Sequence, residues 1–266
     1  MTHTVLKEYQ DGVLILTLNR PKKKNAFSRE QWVAFTQALQ EAQSDDSVAA
    51  VLLTGAGNDF SSGTDLNDFT TAMEPGEVHP FDACALALVE FDKPLIAAAK
   101  GIAIGGGATL LLHCDVVYVG ESLRLRFPFT SLGLVPELAS SYLLTTIVGQ
   151  RKASEIMLRS EWINAERAAE LDLVTEVCSD DTLYESALAS AKDIAKWPVS
   201  SLVATKRLVK AARMTSLKQA LADEKAEMER LGGSAENIEA VMAIFEKRDP
   251  DFTQFRKREE AEVEPA

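Results

Sequence analysis

Histidine and cysteine are scarce in this chain, which has three of each among its 266 residues. Cys84, Cys114 and Cys178 are odd in number, and they show neither C-x-x-C nor Cys/His metal spacing. This argues against a disulfide framework and against a metal site, and it favours a reducing compartment with the three thiols in the core.

The few histidines offer little for catalysis. His113 lies among leucines and is expected to be a packed core residue. His79, beside a proline in a loop, could be a general base, but a lone loop histidine is more often simply solvated.

Positive charge is also in deficit, with 28 Lys and Arg against 40 Asp and Glu and a formal net charge of -12. Nucleic acid and anionic membranes both require basic surface, so neither is expected as the main partner. An anionic ligand would therefore have to bind to a local group of lysines. There is no signal peptide, no long apolar span and no C-terminal peroxisomal tripeptide, and we therefore expect a cytoplasmic protein.

The most informative stretch runs from Lys93 to Val119. Leu95 to Ala99 is a short apolar run typical of a buried strand, and a triple glycine then precedes a helix predicted from Ala108 to His113. The first amides of a helix have no intrahelical partner, so this turn suits an anionic oxygen and could be half of an oxyanion hole. Alternatively, the glycines only allow tight packing between strand and helix. P-loop and G-x-G-x-x-G spacings are both absent.

The stretch KPLIAAAKGIAIGGGATLLLHCD closely resembles the signature of the crotonase family, the enoyl-CoA hydratases and isomerases. The resemblance implies that the middle glycine, Gly106, gives one oxyanion-hole N–H. FSSGTDL resembles a second motif of that family, in which the residue after glycine gives the other N–H, here Thr64. Each position follows its own predicted strand, which is consistent with neighbouring turns of a strand-and-helix coil.

A polar loop, NRPKKKNAFS, carries Lys22, Lys23 and Lys24, which could meet phosphates or simply form a solvated turn. It resembles the crotonase segment that lies along coenzyme A, which favours CoA contact without saying which lysine. The local pattern favours Asp65 and Asp68 as first-turn acids of a helix. The substrate-binding residues implied by the resemblance are Lys24, Ala26, Ser62, Gly63, Thr64, Asp65, Leu66 and Gly106.

A third segment, PFTSLGLVPELASS, places Pro136 at the first position of a predicted helix and Glu137 just inside it. A first-turn glutamate is ordinarily a helix-dipole partner. However, the segment resembles the Δ3,Δ2-enoyl-CoA isomerase branch of the family, which implies that Glu137 is the catalytic base. Hydratases of the family have a further glutamate two residues after the triplet, and this chain has Thr109 there.

The resemblance implies an α/β fold, a crotonase-like spiral of repeated strand-strand-helix turns over residues 1–197, with a helical oligomerisation region and charged tail over 198–266. We expect an acyl-CoA isomerase in fatty acid metabolism that needs no cofactor, because coenzyme A is part of the substrate. The alternatives are an enoyl-CoA hydratase and a non-catalytic acyl-CoA or RNA-binding protein. Amphipathic segments after Pro198 have too little core of their own, and with the resemblance they predict a homotrimer or a dimer of trimers.

Overall fold

A computed structural model describes residues 3–65 and 79–256 and shows an α/β architecture. The strands are β1 Val5–Gln10, β2 Val13–Leu18, β3 Ala50–Gly55, β4 Leu95–Ala99, β5 Ile102–Ile104, β6 Val116–Gly120, β7 Arg124–Arg126, β8 Ile163–Asn164 and β9 Glu176–Cys178. The helices are α1 Arg29–Ser44, α2 Pro80–Glu90, α3 Gly106–Leu111, α4 Ser140–Val148, α5 Gln150–Arg159, α6 Ala165–Glu170, α7 Leu183–Ala195, α8 Val199–Ala211, α9 Met214–Leu231 and α10 Ala235–Glu246.

The main sheet has the order β1-β2-β3-β4-β6-β9. A hairpin with its turn at Asp11 and Gly12 pairs β1 with β2 antiparallel, and both turn residues have positive φ. From β2 onward the strands are parallel. The carboxyl ends of β2, β3, β4, β6 and β9 therefore point to the same edge, where the loops that follow them gather.

Both faces of the main sheet are covered. Leu52 and Ile96 lie on the face that packs against α7, whereas Leu53 and Ala97 lie on the opposite face, in the core that includes Trp32 of α1. Strands that are buried on both sides are continuously apolar, as VLILTL and LIAAA are.

A second, smaller sheet has the order β5-β7-β8. β5 follows β4 after a two-residue turn at Lys100 and Gly101, and it leads directly into Gly105 and the start of α3. This small sheet therefore positions the glycine triplet beside the main sheet.

The three helices predicted after Pro198 are present as α8, α9 and α10. α8 is joined to the core by ion pairs more than by apolar contacts, since Lys206 pairs with Asp115 at 2.7 Å and Lys210 with Asp92 at 2.6 Å. Large apolar side chains on these helices are exposed, namely Leu208, Val209, Ile238, Met242, Ile244 and Phe245. The trimeric assembly and the boundary at residue 198 stay predictions. Among the described residues, every helix is too short or too polar to cross a bilayer.

Candidate active site

The two glycine-rich loops lie side by side, as their spacing predicts. Ser61 forms a parallel bridge with Ala103 of β5, with hydrogen bonds from Ser61 N to Ile102 O at 3.0 Å and from Ile104 N to Ser61 O at 3.0 Å. Phe27 forms a second bridge with Thr64. The loop over residues 61–64 is therefore held between β5 and the segment that precedes α1.

Glycine is required where these loops touch. A Cβ on Gly63, whose φ is +83°, would lie 2.6 Å from Ile104 O and 3.3 Å from Gly106 N. A Cβ on Gly107 would lie 2.4 Å from Ser61 O. The glycine triplet therefore serves both expected purposes. Gly107 allows close packing between the loops, and Gly106 lies at the candidate site.

The amides of Thr64 and Gly106 both have free N–H groups within the part of the chain that the structure describes. In the bridge with Phe27, the hydrogen bonds are made by the neighbours of Thr64, since Phe27 N donates to Gly63 O and Asp65 N donates to Phe27 O, each at 2.8 Å. The N–H of Thr64 therefore points away from this bridge. Gly106 opens α3, so its N–H has no intrahelical acceptor. Two free donors on adjacent loops are what an oxyanion hole requires.

The carboxyl group of Glu137 lies beside Gly106. Its Oε1 lies 3.3 Å from the point where a Cβ on Gly106 would be. The side chain of Trp32 approaches the same point, with Cη2 at 3.4 Å. The carboxyl group of Glu137 and the ring of Trp32 therefore both lie next to Gly106.

The predicted helix around Glu137 was wrong. α4 begins at Ser140, and Pro136 and Glu137 lie before it in irregular backbone. Leu138 and Ala139 have φ of 56° and 54°, a left-handed conformation that no right-handed helix can include. Glu137 is therefore not a first-turn dipole partner, and its carboxyl is directed by this turn.

The pKa of Glu137 is raised to about 8, first by burial and then by the nearby negative charge of Glu224. Apolar surroundings raise the pKa of a carboxyl group, whereas a helix N-terminus lowers it. Burial has the larger effect on the pKa of Glu137. The residue remains partly exposed, as a group that touches a substrate must be. A carboxyl with a pKa near neutrality can both accept and return a proton.

Trp32 lies on the buried face of α1. It is fully buried, stacked on Phe27 at 3.9 Å between ring centroids and packed edge-on against Phe81 at 5.3 Å. Its Nε1 is buried and has no hydrogen-bond partner among the described residues. Trp32 is therefore a core residue that packs next to Gly106, and no local pattern in the sequence indicates this contact.

Thr109 lies fully buried on α3, and its hydroxyl donates to the carbonyls of Gly105 and Gly106 at 3.2 and 3.3 Å. The position where hydratases of the resembled family have a glutamate is thus occupied by a neutral side chain bonded to its own helix. Glu137 consequently has no carboxylate partner at this position for activating water.

The lysine loop is fixed against the loop that carries Thr64. Buried Asn25 donates to Ala56 O and Asp59 O at 3.0 and 2.7 Å, and Ser62 N donates to Lys24 O at 2.9 Å. The side chains of Lys22, Lys23 and Lys24 are exposed, with no ion-pair partner in the described part of the chain. This brings together the predicted binding residues Lys24, Ala26, Ser62, Gly63, Thr64 and Gly106.

Asp65, another predicted binding residue, forms an ion pair that joins the two loops. Asp65 is buried and pairs with Arg20 at 2.9 Å, and the other guanidinium nitrogen of Arg20 donates to Ala26 O. This ion pair gives Asp65 a part in holding the two loops together. Leu66 and Asp68 lie outside the described residues.

The minor roles predicted for the histidines and cysteines are confirmed for some of these residues and not for His79. His113 is packed, and burial lowers its pKa to about 4. His79 is not simply solvated, because its Nδ1 accepts from Phe81 N at 3.1 Å at the start of α2. Cys84 and Cys178 are buried and Cys114 is partly so. Among the described residues, no group of three His, Cys, Asp or Glu side chains could hold a metal ion.

A family profile described as enoyl-CoA hydratase/isomerase matches residues 8–257. This match spans nearly the whole chain. The chain belongs to the enoyl-CoA hydratase/isomerase family. The fold class implied by the crotonase resemblance is thereby confirmed, and coenzyme A thioesters fit the family as substrates.

Members of the enoyl-CoA hydratase/isomerase family with different names resemble the chain to a similar degree. The 1,2-epoxyphenylacetyl-CoA isomerase of Escherichia coli is 33% identical over 95% of this chain and 99% of its own length. The 2,3-dehydroadipyl-CoA hydratase of Escherichia coli is 34% identical over 91% of this chain and 96% of its own. Human enoyl-CoA delta isomerase 2 is 35% identical over 83% of this chain and 58% of its own.

The solved structures agree with the family assignment. A crystal structure of an enoyl-CoA hydratase/isomerase from Pseudoalteromonas atlantica T6c is 39% identical, covers 94% of this chain and 99% of its own, and superposes with a TM-score of 0.90. The relatives carry both hydratase and isomerase names, so the choice between these reactions depends on the residues of this chain's own site.

Proposed function

We propose that this protein isomerises 3-enoyl-CoA to 2-enoyl-CoA in fatty acid metabolism. The observation that carries the proposal is the carboxyl group of Glu137, which lies beside Gly106, while a neutral residue, Thr109, occupies the position of the second hydratase glutamate. Isomerisation needs one group that moves a proton between two carbons. Hydration needs a water molecule to be positioned and activated, for which the family's usual pattern has two carboxylates.

The reaction begins with the thioester oxygen between the N–H groups of Thr64 and Gly106. These donors stabilise the enolate that forms when Glu137 removes a proton from the α-carbon. The electron pair of the broken C–H bond moves into the C–O group, and the conjugated enolate extends to the γ-carbon. When the γ-carbon takes the proton back from Glu137, the double bond shifts to the position between the α- and β-carbons. The proton count is unchanged, so no cofactor is required.

The second candidate is an enoyl-CoA hydratase, which the names of several relatives favour, among them the 2,3-dehydroadipyl-CoA hydratase. In that case Glu137 alone would have to activate water. A third reading, an acyl-CoA binding protein without catalysis, is disfavoured by the raised pKa of Glu137, since burial of an unused carboxyl beside two open amides would serve no purpose in binding.

The direct test is incubation of the protein with 3-hexenoyl-CoA and, separately, with 2-hexenoyl-CoA. We expect the absorbance of the conjugated thioester to grow with the first substrate and little 3-hydroxyacyl product with the second. Rapid hydration of 2-hexenoyl-CoA without isomerisation would identify a hydratase. Tight binding of both thioesters without turnover of either would identify a binding protein.

The pH dependence of the reaction should report Glu137. The base must be ionised to take the α-proton, and its pKa is about 8, so kcat/KM should rise with pH up to a midpoint near 8. Below the midpoint, the rate should fall about tenfold per pH unit. The measurement is kcat/KM for 3-hexenoyl-CoA from pH 6 to pH 10, with circular dichroism at each pH to show that the fold persists. A flat profile from pH 6 to pH 9 would contradict the assignment.

The three exposed lysines should contribute to CoA binding. Exposed ion pairs are worth about 0.2–1 kcal/mol each, so replacing Lys22, Lys23 and Lys24 together with Ala should raise KM roughly tenfold and leave kcat nearly unchanged. The salt dependence of KM should also weaken in this variant. Lys152→Ala, an exposed lysine of α5, is the control. Equal KM values for the triple variant and the control would remove coenzyme A phosphates from the loop.

We further propose a cytoplasmic homotrimer or dimer of trimers. The exposed apolar side chains of α8 and α10, such as Leu208 and Phe245, support an interface there.

A further inference from the structure

The backbone that follows Glu137 is strained. Leu138 and Ala139 are consecutive residues with side chains, and both are left-handed. This conformation brings Cβ too close to the neighbouring carbonyl, so two such residues in succession need support from the surrounding structure. Both are buried, at 1% and 0% exposure, so water cannot satisfy the peptide that joins them.

Two side chains from distant parts of the chain hold this peptide at its two ends. The carbonyl of Leu138 lies 2.7 Å from Nε2 of His113, and the N–H of Ala139 donates to Oε2 of Glu224 at 2.7 Å. These two groups belong to the same peptide unit. The carbonyl can only accept, so His113 carries its proton on Nε2 and donates it.

Glu224 also reaches the start of α4. Its second oxygen, Oε1, accepts from Ser141 N at 2.8 Å. Glu224 is 7% exposed and comes from α9, so one carboxylate of the C-terminal helices supports the backbone on both sides of Ser140. Two acceptor atoms are needed for these two donors, and an amide side chain supplies only one.

Several charged side chains lie near Glu224 and His113. Burial raises the pKa of Glu224, and the charge of Asp223 raises it further. Lys225 of the same helix is engaged with Asp82 of α2 at 2.7 Å. Lys206, Arg213 and Asp115 surround His113, which burial keeps neutral. The negative charge of Glu224 therefore acts on Glu137 without an ion-pair partner of its own among the described residues.

We propose that Glu224 and His113 are positioning residues that clamp the Leu138–Ala139 peptide and thereby hold the carboxyl of Glu137 beside Gly106. This proposal rests on the proposed function of Glu137 as the base. It assigns to α9 a part in catalysis, although none of its described residues is placed at the oxyanion site. The clamp also explains why a glutamate is buried between α4 and α9.

The test compares Glu224→Gln with Glu229→Gln, which removes the same charge at an exposed position of the same helix. In Glu224→Gln one backbone N–H would face the NH₂ group in place of an acceptor. We expect kcat for 3-hexenoyl-CoA to fall between about tenfold and hundredfold with KM changed less than about twofold, because misplacement of a reacting group by 1 Å has effects of that size. Glu229→Gln should behave as the wild type.

The pH profile separates positioning from a general loss of stability. Without the charge of Glu224, the midpoint of kcat/KM against pH should move to a lower pH, because the pKa of Glu137 is raised partly by that charge. The sign follows from the removal of a like charge, which makes ionisation of Glu137 easier. A midpoint and a kcat equal to those of the wild type would overturn the proposal.

His113 gives an independent pair of variants, which carries the test if Glu224→Gln does not fold. His113→Gln keeps an N–H donor near the position of Nε2, whereas His113→Leu removes it. We expect the Leu variant to lose kcat and the Gln variant to regain most of it. Equal kcat in both would contradict the clamp.

Measuring Glu137→Gln alongside these variants separates a failure of the proposed function from a failure of the clamp alone. If Glu137→Gln remains active, the proposed function fails and the clamp fails with it. If Glu137→Gln is inactive while Glu224→Gln and His113→Leu are both normal, the clamp alone is wrong.

Discussion

Replacing Glu137 with Gln is expected to lower kcat for 3-hexenoyl-CoA isomerisation by at least about a hundredfold, the usual contribution of a general base. Gln has nearly the same shape as Glu but cannot accept the α-proton, so KM should change little. The measurement is steady-state formation of the conjugated thioester. Glu121→Gln, an exposed glutamate that follows β6, is the matched control for loss of one charge.

The same variant gives a stability readout that does not depend on substrate. Because the folded state raises the pKa of Glu137 to about 8, the folded protein binds a proton there that the unfolded chain releases near its ordinary value of 4.5. The favourable contribution is complete below pH 4.5 and is lost as the pH rises through 8. Glu137→Gln should therefore show a smaller loss of unfolding free energy than the wild type between pH 5 and pH 9. Near-normal isomerisation by this variant would show that another group carries the proton.

Gly63→Ala is expected to produce the other large effect. The added Cβ would lie 2.6 Å from Ile104 O, so the loop that carries Thr64 must move away from β5 and from the Gly106 amide. Loss of one oxyanion donor typically lowers kcat about a hundredfold to a thousandfold. We expect a loss in this range, measured with 3-hexenoyl-CoA, because both donors depend on the contact between these loops.

Gly149→Ala is the matched control for Gly63→Ala. Its φ of +78° is close to the +83° of Gly63, but a Cβ there would have no heavy atom within 4 Å. Both variants should lose about 1–3 kcal/mol of stability because a residue with a side chain is strained at these positive φ angles, and this loss is seen as a lower melting temperature. Only Gly63→Ala should lose activity. Equal kcat values in the two variants would mean that the contact between the loops does not position the oxyanion donors.

Most local structure could be predicted from the sequence, because its signals lie within a few residues of each other. The hairpin at Asp11 and Gly12, the cap in which Ser28 accepts from Gln31 N at 3.3 Å, and the buried strand from Leu95 to Ala99 all follow from turn, capping and hydropathy patterns. The prediction failed at Pro136 because the left-handed turn at Leu138 and Ala139 is stabilised by residues far away in the chain. A helix rule applied to VPELASS contains no information about His113 or Glu224.

By itself, the sequence determined the family motifs, the two glycine loops and the choice of Glu137 as the candidate base, since these are properties of short segments. Only the tertiary structure decided that the Thr64 and Gly106 amides lie together with free N–H groups, that Trp32 packs next to Gly106, and that Glu137 precedes α4. It also decided the pKa of Glu137. A pKa depends on the burial and charge contributed by every segment that folds around the group, here including Glu224 on α9, and no local pattern in the sequence encodes that sum.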